Sequence, residues 1–449
     1  MDARRQNGSR ILRRAIVLTS VAVVFGLSTG GLARAQYAAI DPSTTFNPNN
    51  TLTDSFNRGE NVSVRERPRP DYQPEGIHLG GFMVYPKLTL GAAFDDNIYA
   101  QQSGAVSDAI FTVAPEIDFQ STWSRNALAG YVRDSQSFYV NHSGEDVNQY
   151  GAGLSGKYEF GDSVLSAATD YGRYALSRTA ANSLQGLSEH PIEYDYTDAS
   201  AVLSHTFNRL RLAGRFDYQD YSYLNGEEPG GAVVFENNFS HYIETYSGKL
   251  EYAVSPDTAV YVAGAYNERQ YALHPPTVAY TSNSTGYNIT GGVNFDVTHL
   301  VRGDVQLGYL DQEYASSLFH DIKGLSAKGQ VEWFPTQLTT VTLTGLRAVG
   351  DSGVIGSAGY INATGGLQVD HELLRNLILT LTATTAHNSY YGASRVDQIW
   401  SIGASADWLL NRRVGLGFGY AHSDQTSSGS NRGPSFADDR GTISTALKF

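Results

Sequence analysis

The 449-residue chain contains no cysteine, which excludes structural disulfides, thiolate-held zinc, iron–sulfur clusters and thiol nucleophiles. Methionine occurs only twice. Charged residues make up 17% of the chain, against roughly 25% in ordinary globular proteins. Basic residues are the scarcer sign, 32 against 45 acids. Nucleic-acid binding needs a basic footprint, so no nucleic-acid partner is expected. Long apolar runs are also missing: no stretch reaches the roughly 20 consecutive apolar residues of a spanning helix. Glycine and tyrosine are plentiful instead, with 46 and 29 copies.

The first 35 residues read as a secretory signal peptide. Arg4, Arg5, Arg10, Arg13 and Arg14 form a basic start, Ala15 to Leu27 an apolar middle, and Ala33-Arg34-Ala35 a small-residue cleavage site. Cleavage between Ala35 and Gln36 removes six arginines and Asp2, a net +5, taking the charge from −13 to −18. Residues 36–80 are rich in Pro, Asn, Asp, Arg and Gly, with few bulky apolar side chains. Such a segment buries too little surface to fold alone and is expected to be a flexible periplasmic extension.

From residue 81 to 449 the texture is constant and alternates with period two, the signature of strands. Ala327, Gly329, Val331 and Trp333 share one side of their segment, while Lys328, Gln330 and Glu332 share the other. Leu377, Leu379 and Leu381 line one face of another. No stretch carries a sustained apolar stripe at helical spacing. The fold class is all-β, and eighteen segments of this kind can be placed between residues 83 and 449.

The connections alternate in length. Tight turns fall at Gly161-Asp162, Asn208, Pro256, Leu300, Pro335-Thr336, Arg375 and Asn411-Arg412. Longer polar links fall between them, including 100–108, 176–193, 224–239, 272–284 and 425–439. Short on one side and long on the other is the asymmetry of an up-and-down, antiparallel outer-membrane barrel, whose periplasmic turns are short. The expected architecture is an 18-stranded transmembrane β-barrel in the outer membrane of a Gram-negative bacterium, embedded in lipid and lipopolysaccharide. Tyr85, Tyr99, Trp123, Tyr158, Phe160, Tyr252, Trp333 and Trp408 are candidates for its interfacial aromatic girdles. The last strand alternates from Ile443 to a terminal Phe449, which resembles the C-terminal signal read by the barrel assembly machinery.

Four stretches carry a family resemblance. They are Arg67-Pro68-Arg69-Pro70-Asp71-Tyr72, Gly76-Ile77, the run from Phe82 to Gly91, and Asp95-Asp96-Asn97-Ile98-Tyr99. With the turn-and-strand units at 334–341 and 373–379, they resemble the outer-membrane β-barrel porin family of proteobacteria over residues 66–449. Members of that family often accompany exopolysaccharide export systems. The resemblance therefore implies a conduit or accessory for polymer export, with export components as partners. A general or substrate-selective diffusion porin is the alternative that barrel size supports.

Catalytic patterns are missing. The eleven histidines are scattered, and no Gly-x-Ser-x-Gly nucleophile motif is present. The adjacent acids Asp95-Asp96 and Asp438-Asp439 point to opposite faces of a strand and read as solvated loop-end charges. Neither an enzyme nor a cofactor is expected. The polar faces supply candidates for a lumen wall instead: Lys87, Glu116, Arg133, Lys157, Arg211, Arg215, Asp217, Lys249, Glu251, Arg302, Asp304, Lys328 and Glu332. Asp118, Glu159, Asp370 and Asp407 belong with them, and Tyr131 and Tyr261 are candidates to stack on sugar rings. Loops 176–193 and 224–239 are the two long enough to fold inward as a constriction.

Overall fold

A computed structural model describes residues 61–178, 188–272, 281–298, 300–354 and 356–449. The signal-peptide segment and its cleavage site lie outside the described residues. Eighteen long strands dominate. The first six are β1 (Phe82–Asp95), β2 (Asp108–Ser121), β3 (Ala127–Tyr139), β4 (Val147–Phe160), β5 (Ser163–Ala175) and β6 (Glu193–Phe207). The next six are β7 (Leu210–Tyr223), β8 (His241–Ser255), β9 (Thr258–Tyr271), β10 (Ser284–Val297), β11 (Val301–Tyr314) and β12 (Ile322–Thr336). The last six are β13 (Thr339–Asp351), β14 (Gly359–Leu374), β15 (Leu377–Tyr390), β16 (Val396–Leu409), β17 (Val414–Ser428) and β18 (Phe436–Lys448).

Each strand pairs antiparallel with its sequence neighbours, and β1 closes on β18 from Lys87↔Lys448 to Asp95↔Arg440. The result is a closed barrel in which each long strand is laddered to a neighbour on both sides over most of its length. The period-two pattern explains the two faces. Leu88, Leu90 and Phe94 point outward from β1, and their register partners Leu447, Thr445 and Gly441 do the same from β18. The outer face exposes a band of Leu, Val, Ile and Phe, such as Val132, Leu212, Val262, Leu307 and Leu381. Large apolar side chains left open in such numbers require a hydrocarbon solvent.

Connections are short at one end and long at the other. The β4–β5 and β6–β7 turns are two residues each, opened by Gly161 (φ +60°) and Asn208 (φ +54°). Both supply the left-handed backbone that tight hairpins need. The opposite end carries the loops before β6, β8 and β10. Trp123, Tyr158, Phe160, Tyr252, Trp333 and Trp408 are exposed near the short-turn end. A second exposed row, including Tyr150, Tyr246, Tyr266, Tyr287, Tyr309 and Trp400, lies toward the long-loop end.

Several expectations need correction. Tyr85 faces inward, where its hydroxyl accepts from Gln120 Nε2 at 3.2 Å, and Tyr99 lies in a loop against Arg178. The link expected at 425–439 is shorter, because β17 runs to Ser428 and β18 begins at Phe436. Above the membrane, polar residues extend strands through the same ladder, so composition does not mark the strand end there. Asp95 is buried rather than solvated and pairs with Arg440 at 3.5 Å.

Candidate functional site

The register places all thirteen candidate wall residues on the face opposite the apolar band. Lys87 stands opposite Glu116 and forms an ion pair with it, and Glu116 stands opposite Arg133. Arg133 donates to the Tyr174 hydroxyl at 3.0 Å and lies over the Tyr131 ring. Residues two apart on a strand share a face, and three pairs use this spacing: Lys157 with Glu159, Arg215 with Asp217, and Lys249 with Glu251 at 3.2 Å. Arg211 stands opposite Glu251. Arg302 reaches Glu332 at 2.7 Å, Asp304 accepts from the Tyr261 hydroxyl at 2.6 Å, and Lys328 stands opposite Gln306. Opposite charges therefore alternate along the wall at close range, which limits any one-sign trap for a passing solute.

Tyr131 and Tyr261 do not stand free for sugar rings. Each lies across a glycine on the next strand and donates to an aspartate on the strand after: Tyr131 over Gly153 to Asp170, and Tyr261 over Gly292 to Asp304. A Cβ on Gly153 would come within 2.4 Å of the Tyr131 ring, and one on Gly292 within 2.3 Å of the Tyr261 ring. The outer face repeats the device with Phe119 over Gly130 and Phe295 over Gly303.

Residues 61–75, part of the expected flexible extension, are folded into the short-turn mouth. Asn61 Nδ2 donates to Asp296, and the Val64 N–H donates to Thr340 Oγ1 at 2.9 Å. Arg65 contacts Asp370 on β14 at 2.7 Å and Asp407 on β16 at 3.4 Å, and donates to Thr380 on β15. Glu372 receives Arg67 at 3.2 Å, Arg69 at 2.9 Å and Arg375 at 3.3 Å. Glu66 bridges back to Arg302 at 2.7 Å. Burial pushes the Glu66 carboxyl up, but the Ser63 N–H and the Arg302 guanidinium outweigh it and hold it below the usual range. Arg375 and Arg412, in the turns, donate to the carbonyls of Pro68 and Pro70. Composition hid this docking, because the segment has little apolar surface. The signal was the arginine at every second position from 65 to 69, matched to acids two apart at 370 and 372.

The long-loop mouth is narrowed differently. Leu176, Ile192, Val234 and Phe239, from the loops around β6 and β7, pack on Tyr194, Tyr221, Tyr223 and Ile243 of the inner wall. A two-residue hairpin, Gly226–Glu227 with Val233–Val234, stiffens the second loop. At the same level, the fully buried Arg269 of β9, in register with Ile243, pairs with Asp351 at the end of β13.

A closed barrel with an apolar outer band, aromatic girdles and a charged inner wall is an integral outer-membrane channel protein of a Gram-negative envelope. Residues 69–449 match the family described as Putative beta-barrel porin 2, and the chain belongs to that family. No curated protein matches its sequence. Among solved structures it is similar to OccK9 (OpdG) of Pseudomonas aeruginosa, at 12% identity and a TM-score of 0.45, covering 84% of this chain and 100% of that one. It is similar also to a BenF-like porin of Pseudomonas fluorescens Pf-5, at 12% identity and a TM-score of 0.44, with 82% and 99% covered. A mutant of the ferric enterobactin receptor PfeA of Pseudomonas aeruginosa matches at 8% identity and a TM-score of 0.44, over 84% and 81%.

Proposed function

We propose that this porin is a diffusion pore for small polar solutes. The carrying observation is the inner wall, where cations and anions are paired at close range around the barrel. Such a wall stays wet and offers weak, balanced contacts, which conduction requires. An 18-stranded barrel is wide enough for an aqueous channel. Polymer export, the role implied by the sequence resemblance, calls for a wide duct. The inward packing of residues 61–75 and of the loop before β8 favours smaller cargo.

Two measurements test this reading. The purified barrel in planar bilayers is expected to conduct ions, and deletion of its gene is expected to leave surface polysaccharide unchanged. A non-conducting barrel together with reduced surface polysaccharide would replace the pore reading with the export one.

A further inference from the structure

The short-turn mouth holds an arrangement that a passive wall does not need. Asp370, Glu372 and Asp407 are all more than nine-tenths buried and stand on the inner face of β14 and β16. Carboxylates so far from water must be neutralised by a partner. Here the partners are arginines of the chain's own N-terminal segment, together with Arg375 of the adjacent turn. Arg65 does what a small guanidinium ligand would do: it spans two carboxylates on different strands and donates to the Thr380 hydroxyl between them. Asp407 is not saturated by this contact. Its Oδ1 is buried and has no hydrogen-bond partner among the described residues.

The segment itself is attached through side chains and a few backbone contacts. No ladder joins residues 61–75 to the barrel strands, which close on one another through their own ladders. A segment held in this way can leave without breaking the barrel, and its departure exposes the carboxylates to the lumen.

We propose that residues 61–75 are a displaceable stopper seated in a lumenal binding site for guanidinium and ammonium groups, built from Asp370, Glu372, Asp407 and Thr380. The inference rests on the pore reading and assigns its solute class: small cations carrying such groups, which compete with Arg65 for the same oxygens. A guanidinium matches paired carboxylate and hydroxyl acceptors in a way that a metal ion or a neutral sugar does not.

The absence of native cysteine allows a clean test in planar bilayers. A Val64→Cys, Thr340→Cys chain is designed to join the segment to β13, where the Val64 N–H already donates to Thr340 Oγ1 at 2.9 Å. Formation of the disulfide is verified by thiol titration before recording. Oxidation is expected to lower its conductance severalfold, and reduction to restore that of the parent. Replacing Arg65, Arg67 and Arg69 with Ala in the full chain should raise conductance severalfold above the parent. Guanidinium chloride should then block that current from the short-turn side, and adding Asp370→Asn and Asp407→Asn should abolish the block. Parent, cross-linked and arginine-free chains that conduct alike would overturn the stopper while leaving the pore. Current that guanidinium leaves unchanged would overturn the binding site. No current from any version would overturn the pore reading and this inference with it.

Discussion

Tyrosine and glycine, the two residues in excess, serve one another. Gly292 is bare so that the Tyr261 ring can cross β10 and reach Asp304, and Gly153 does the same for Tyr131. Gly292→Ala would force the ring off its path, and overpacking of this kind costs about 1–3 kcal/mol. The expected result is a lower temperature for conversion of the folded to the unfolded band on a gel, with Gly248→Ala, where the added Cβ meets nothing within 4 Å, close to wild type. Glu66 gives a second prediction. Its carboxyl is held below the ordinary 4.5 by the docked state. Docking is therefore strengthened above that value, and this contribution fades as pH falls through the lowered one. Arg302 is the charged group paired with it, and Glu66 shares that guanidinium with Glu332. Conductance should rise as pH drops below about 4.5 in wild type, whereas Glu66→Gln should show part of that rise already at neutral pH. Identical pH profiles would show that Glu66 does not hold the segment.

Among the elements, strands were legible and loops were not. The two-residue period marks the strands and most of their faces, because lipid on one side and charge on the other penalise a one-residue slip. Ala327 to Trp333 is such a case, and Arg211 with Arg215 is another. The period fails for Tyr85, an aromatic on the inner face, and at the polar strand ends around Ser428. Loop docking depends instead on contacts between residues far apart in the chain, such as Val234 on Tyr223 or Arg69 on Glu372, and no local period encodes them. Val234 is 3% exposed. Val234→Asp would place an unpaired charge in that cluster, a change that costs several kcal/mol. The loop before β8 should then detach, seen as faster proteolytic nicking between residues 224 and 240 with the barrel itself intact. Unaltered nicking would mean that the cluster does not anchor the loop.

At the scale of the whole molecule, closure is the central event. β1 cannot complete its pairing until β18 exists, and the Phe449 N–H donates to the Pro86 carbonyl at 3.1 Å across this seam. Phe449→Asp sets a charge at the membrane edge of that seam and is expected to lower the yield of heat-modifiable barrel in outer-membrane fractions. Full yield would show that the terminal aromatic is dispensable.

The docking of residues 61–75 also carries a schedule. Arg65 and Asp370 are 305 residues apart, so the contact cannot form until β14, β15 and β16 are in place. A growing barrel would otherwise be a leak at every intermediate stage, yet the carboxylates that hold its seal come from the last third of the chain. The mouth can close only when the wall is nearly finished, which makes sealing a report that assembly has reached its end.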